Sequence, residues 1–185
     1  MTELWVVRHG EAEGNAAGIV QGRLPYPLTE RGREQASTVA QFLKRVGCDP
    51  DVVITSPVAR CVETTTVIGY PDATHDAAFA EIDPGRAQGE PLANYAALEG
   101  MDPHGGESVA ALYGRVADGL DALPKTRVLL VTHGCVFKAV LAHLLELKGR
   151  YWLGLQYGTC MRVEEKRPGV HALTHLLDPE AMVVK

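Results

Sequence analysis

Three short apolar runs, Glu3 to Val7 (ELWVV), Asp51 to Thr55 (DVVIT) and Arg127 to Thr132 (RVLLVT), constrain the fold of this chain more than any other feature. Each is too short for a buried helix and ends in a polar loop, as a strand covered on both faces does. Between them lie segments of helical period. Ala36, Val39, Ala40, Leu43 and Val46 recur at three and four residues, with Thr29 as the expected N-cap and Gly47 as the stop. Ser56-Pro57 is expected to open the next helix, Ser as N-cap and Pro in the first helical position. Glu107 to Leu123 and the largely apolar Cys135 to Leu147 also read as helices. Strand and helix therefore alternate, which predicts an α/β fold, a three-layer α/β/α sandwich around a mainly parallel sheet. The tail from Thr159 to Leu177 alternates enough to supply one or two edge strands.

A chain of 185 residues fits one domain, 1–185, and residues 72–106, rich in proline and glycine, are expected to form an excursion over the site. With 18 Lys+Arg against 23 Asp+Glu the formal net charge is −5, which excludes the broad basic surface that nucleic acid or an anionic membrane requires. No apolar stretch approaches the roughly 18 residues of a membrane span. The start Met1-Thr2-Glu3 has no basic leader region, and the four cysteines form no CxxC pair. A cytoplasmic protein with reduced thiols is the expectation.

In sheets of this kind ligands bind beyond the carboxyl ends of the strands. Arg8-His9-Gly10 follows the first run, Ser56 to Arg60 the second and Thr132-His133-Gly134 the third. Topology alone thus brings two histidines and two arginines to one edge of the sheet.

Five ordered motifs carry a family resemblance. Arg8-His9-Gly10-Glu11 with Asn15, the stretch Pro27 to Ala36 (PLTERGREQA), Thr55 to Thr64 (TSPVARCVET), Gly105-Gly106-Glu107-Ser108 and Val131-Thr132-His133-Gly134 resemble the blocks of the histidine phosphatases, the phosphoglycerate mutase-like superfamily. The look is that of its short broad-specificity and alpha-ribazole phosphatase-like members. The resemblance implies a phosphomonoesterase acting on a small phosphorylated metabolite, with no metal and no cofactor. It makes His9 the nucleophile, places Arg8, Arg60 and His133 around the phosphoryl group, and makes Asn15 a further donor. Gln21, Gly22 and Gly134 are the expected substrate contacts.

Those residue types suit the chemistry. A neutral imidazole attacks a phosphate dianion without charge repulsion and forms a phosphohistidine. Its other nitrogen must be held by an acceptor, which fixes the tautomer. Two guanidinium forks match the charge that develops on the phosphoryl oxygens. By the same resemblance Glu81, in Phe79 to Gly85 (FAEIDPG), is the acid that protonates the leaving alkoxide, with Asp83 as the competitor. Glu11 and Glu107 read as structural. The chain departs from the family at Gly14, where a Trp is usual, at Arg86 to Glu90, and at Tyr157-Gly158-Thr159. Residues 72–122 hold ten acidic residues against Arg86 and Arg115, which predicts an acidic rim favouring a substrate with a neutral or cationic remainder. The alternatives are a cofactor-dependent phosphoglycerate mutase-type phosphotransferase and a non-catalytic phospholigand-binding domain. A monomer or homodimer is expected, with neither nucleic acid nor membrane as partner.

Overall fold

Alternation along each strand decides which side chains face which layer of helices. The computed structural model describes residues 2–94, 104–147, 155–167 and 170–178. Strands β1 (Glu3–Arg8), β2 (Val52–Thr55), β3 (Thr74–His75), β4 (Arg127–Thr132), β5 (Cys160–Arg167) and β6 (Val170–Leu177) form one sheet in the order β3-β2-β4-β1-β5-β6. The pairs among β1 to β4 are parallel; β5 runs antiparallel to β1, and β6 to β5. The sheet is mixed and mostly parallel, as expected.

Leu4, Val6, Val128 and Leu130 pack on one face with Leu112 and Val116 of α4 (Val109–Asp121) and Phe137 and Val140 of α5 (Gly134–Leu144). Trp5, Val7, Leu129 and Val131 pack on the other with Val39 and Leu43 of α2 (Glu30–Arg45) and Cys61 and Ile68 of α3 (Ala59–Ile68). Residues 4–7 and 128–131 are at most 1% exposed. Full burial of such side chains is worth about 1.5–3 kcal/mol each, so the two central strands anchor both layers.

Thr29 caps α2 by accepting from Gly32 N, and Gly47 follows at φ 69°. A one-turn helix, α1 (Glu13–Ala16), interrupts the loop after β1. A Cβ on Gly10 would lie 2.2 Å from the Gly32 carbonyl oxygen, and one on Gly32 would lie 2.0 Å from that of Glu11. Only glycine lets the first turn of α2 press against the loop that carries His9. Thr29 Oγ1 donates to Glu11 Oε1 at 2.9 Å, which ties Glu11 to the cap of α2.

One expectation needs correction and two gain detail. Helix α3 starts at Ala59, and Val58 rather than Ser56 is its cap; the Ser56 hydroxyl lies 2.7 Å from His133 Nε2 and accepts from Val58 N at 3.3 Å. Of the two tail strands, β5 is internal because it pairs with β1 on one side and β6 on the other, and β6 is the expected edge. The excursion contains the two-residue strand β3 as well as 3₁₀ turns at Ala77–Phe79, Gly85–Ala87 and Leu92–Asn94. Its residues 95–103, with Glu99 and Asp102, lie outside the described residues.

Candidate active site

His9 follows the last residue of β1 and is 2% exposed. Its Nδ1 stands 2.6 Å from the Gly10 carbonyl oxygen, and a carbonyl only accepts. Nδ1 therefore carries the proton and Nε2 the lone pair. Arg60 Nε donates to that lone pair at 3.1 Å. Burial, then Arg60 and Arg8, hold the His9 pKa well below the ordinary histidine value against the opposing Gly10 hydrogen bond, so the ring is neutral at pH 7.

His133 is fully buried, its ring centroid 5.2 Å from that of His9 in an edge-to-face arrangement. Arg60 Nη2 lies 3.0 Å from its Nδ1, and a guanidinium only donates. Nε2 must then carry the proton, which it donates to Ser56 Oγ at 2.7 Å. Burial, then Arg60 and His9, lower this pKa as well. Arg60 is 1% exposed and also donates to the carbonyls of Gly22 at 2.8 Å and Leu24 at 3.3 Å. One buried guanidinium thus touches both histidines and the loop above them.

Arg8 completes the cationic side. Its Nη1 donates to Leu155 O, and its guanidinium carbon lies 4.1 Å from the Tyr157 ring centroid. Its Nε is buried with no hydrogen-bond partner among the described residues, a donor left over for an anion. Gly134 opens α5 against this guanidinium, where a Cβ would sit 3.5 Å from Arg8 Cζ. Tyr157 and Gly158 also close on His9: the rings of Tyr157 and His9 are 5.9 Å apart, and Gly158 N donates to His9 O.

The remaining expected residues are distributed unevenly. Gly22 reaches Arg60 through its carbonyl, and Gln21 is 6% exposed with its Oε1 unpartnered among the described residues. Asn15 Oδ1 accepts from Ala12 N, so only its amide NH₂ is available to a ligand. A Cβ at Gly14 would come 2.6 Å from Gln21 Cγ and 2.7 Å from Tyr26 Cδ2. Those two side chains fill the space that a larger residue would need.

The Glu81 carboxyl acts electrostatically on Arg60, Cys61 and Cys135, and its Oε1 accepts from Ile82 N at 3.0 Å. Asp83 also uses its Oδ1 locally, accepting from Gly85 N at 2.8 Å. Two described members of the acidic rim expected from residues 72–122 have cationic partners, while Glu99 and Asp102 lie outside the described residues. Glu107 is neutralised by Arg115 and Arg23. Asp121 pairs with His143 in the last turn of α5, a helix-length from the site.

The buried neutral histidines have a consequence for stability. In the unfolded chain they protonate as pH falls through about 6.5, whereas the folded protein resists protonation. The unfolded state thus binds more protons, and stability falls on acidification. Between pH 7.5 and 5.5 the loss is expected to be about 1 kcal/mol per histidine. Thermal melts over this range check it: His9→Asn should flatten the decline, and an unchanged slope would contradict the assignment.

Sequence reasoning missed Arg23, Arg115 and Tyr157, and misread Ser56. Ser56 is close to Arg60 in sequence, but its real partner is 77 residues away.

Comparison with known proteins gives a match to the family described as "Histidine phosphatase superfamily (branch 1)" over residues 4–173. A metal-independent phosphoserine phosphatase of Arabidopsis thaliana is 33% identical over 163 residues, covering 76% of this chain and 67% of its own. A probable phosphoglycerate mutase GpmB of Cronobacter sakazakii is 31% identical over 166 residues, covering 80% and 76%. The crystal structure of phosphoserine phosphatase in complex with 3-phosphoglyceric acid from Entamoeba histolytica superposes with a TM-score of 0.82 at 25% identity, over 99% of this chain and 100% of that one. Among the described residues no helix is long and apolar enough to cross a membrane.

Proposed function

The chain belongs to the histidine phosphatase superfamily, branch 1, and is a phosphatase; from that premise we propose that it hydrolyses a small phosphomonoester through a phosphohistidine on His9. The observation that carries this is the state of the His9 ring, with Nδ1–H held by the Gly10 carbonyl and the Nε2 lone pair facing Arg60.

An arriving phosphoryl group takes the Arg60 Nε–H onto one of its oxygens and so releases the Nε2 lone pair. The unpaired Arg8 Nε and the Asn15 amide supply further donors. Nε2 then attacks phosphorus, the bond to the leaving oxygen breaks, and the Glu81 carboxyl delivers a proton to that oxygen. Glu81, now a carboxylate, takes a proton from the water that attacks the phosphohistidine. The N–P bond breaks, and phosphate leaves with His9 again neutral. His133 acts through Arg60 by holding its Nη2 edge in place.

The test is turnover of p-nitrophenyl phosphate and a panel of small phosphomonoesters in EDTA, with trapping of an acid-labile phosphohistidine at residue 9. Release of free phosphate separates hydrolysis from the mutase reaction for which one relative is named. Absence of turnover on every ester would leave a binding domain. Loss of turnover only in EDTA would replace this mechanism with a metal-assisted one.

Glu81→Gln separates proton transfer from phosphoryl capture. Alkyl phosphates, whose leaving groups need the proton, should lose about 10²–10³-fold in kcat/KM, and p-nitrophenyl phosphate far less. Equal losses on both substrates would remove Glu81 from the acid role.

A further inference from the structure

Between the 3₁₀ turns at Ala77–Phe79 and Gly85–Ala87, the backbone that carries Glu81 belongs to no helix or strand. Its carbonyls and amides still need partners, and a carboxyl that protonates a leaving group must stand in one place to within a fraction of an ångström. Two guanidiniums and one carboxylate from distant parts of the chain meet that need.

Arg115, on α4, donates from Nη1 to the carbonyls of Ala78 at 2.8 Å, Ala80 at 3.0 Å and Ala77 at 3.3 Å. Its other edge forms a fork on Glu107, with Nε to Oε1 at 2.8 Å and Nη2 to Oε2 at 2.7 Å. Glu107 in turn holds the far side of the segment: its N–H donates to Asp83 O at 2.8 Å, and its Oε2 accepts from Asp83 N at 3.4 Å. Arg23 donates from Nε to the Glu81 carbonyl at 3.0 Å and reaches Glu107 Oε2 at 3.5 Å. The residue before it, Gly22, accepts from Arg60 through its carbonyl. Consecutive carbonyls, those of Ala80 and Glu81, are thus held by different arginines that share one carboxylate. The same dipeptide that carries Arg23 ties this arrangement to the phosphate-side arginine.

We propose that Arg115, Glu107 and Arg23 form a positioning clamp that sets the Glu81 carboxyl relative to Arg60 and His9, and thereby governs proton transfer to the leaving group rather than capture of the phosphoryl group. The clamp touches none of the reacting atoms. It rests on the reading of Glu81 as the acid. The side chains of Glu107 and Arg115 are only 13% and 22% exposed, so solvent screens their fork less than it would a surface pair. Burial alone would raise the Glu107 pKa, but the Arg115 hydrogen bonds and charge outweigh it and hold the carboxyl below its usual range. The clamp is therefore ionised throughout the neutral range.

The experiment measures kcat/KM for an alkyl phosphate and for p-nitrophenyl phosphate, together with the stoichiometry of His9 phosphorylation. The variants are Glu107→Gln, Arg23→Ala and Arg115→Lys, each made alone and in the Glu81→Gln background. A displaced acid should cost about 10–10²-fold on the alkyl ester and under about threefold on p-nitrophenyl phosphate, with phosphoenzyme formation intact. In the Glu81→Gln background the further loss on the alkyl ester should vanish, because there is no acid left to misplace. A purely structural role predicts equal losses on both substrates and losses that multiply with Glu81→Gln, and either result overturns the clamp. Should Arg115→Lys not fold, Glu107→Gln, which keeps the side-chain shape, and the surface change Arg23→Ala carry the same comparison. If Glu81→Gln itself shows no leaving-group dependence, the acid assignment falls and the clamp with it. If Glu81→Gln shows that dependence and the clamp variants do not, the clamp alone falls.

Discussion

His9→Ala is expected to abolish turnover, with a loss of at least about 10⁴-fold in kcat, or about 5.5 kcal/mol of barrier. The argument rests on the ring state. Both nitrogens of His9 have partners whose hydrogen-bonding roles admit no ambiguity, so the lone pair on Nε2 is fixed by chemistry and not by choice of tautomer. His133 offers no substitute: its lone pair belongs to Nδ1, which faces Arg60, and its Nε2 hydrogen is on Ser56. Alanine therefore removes the covalent route and leaves no understudy. Rapid quench with ³²P-labelled substrate reads the result directly. A labelled protein band of unchanged stoichiometry in His9→Ala would place the nucleophile elsewhere.

The second large effect is expected at Arg60. Arg60→Lys should lower kcat/KM by about 10³-fold or more, on the scale seen when a guanidinium that stabilises a phosphoryl transition state is removed. Lysine keeps the charge but has one head group where Arg60 uses three nitrogens on four partners: His9, His133, Gly22 O and Leu24 O. It cannot satisfy all of them at once, and each buried group left unpaired costs roughly 1–3 kcal/mol. The melting temperature should therefore fall along with activity. Single-turnover phosphorylation rates and thermal melts together check this, and a loss under tenfold with unchanged stability would mean that Arg60 is a bystander.

Much of this architecture was legible in the sequence because it depends on local periodicity. Leu4 to Val7 and Val128 to Val131 announce strands buried on both faces, and both strands lie at the centre of the sheet. Thr29 and Gly47 mark the ends of α2 because capping is a property of a few adjacent residues. The rule that ligands sit at the carboxyl edge of such a sheet brought Arg8, His9, Arg60 and His133 together before any distance was known. Ser56 shows where local reading stops. Ser-Pro before an apolar stretch is a sound helix-start signal, yet a hydroxyl 2.7 Å from His133 is worth more there than a cap. The partners of two rim carboxylates were hidden for a related reason. Charge summed along residues 72–122 says nothing of where α4 carries Asp121, or that Arg23, from outside the segment, lies across Glu107.

By itself, then, the sequence determined the α/β alternation, the central strands and the residue types gathered at one edge, because periodicity, caps and topology are consequences of short-range order. The tertiary structure decided which nitrogen of each histidine carries the proton. It also decided that Asp83 Oδ1 serves a turn at Gly85 N, and that Arg115 and Arg23 converge on the backbone around Glu81. Each of those outcomes depends on hydrogen-bond partners tens of residues apart, or on how burial and neighbouring charge act on one site. Such couplings exist only once the chain has folded.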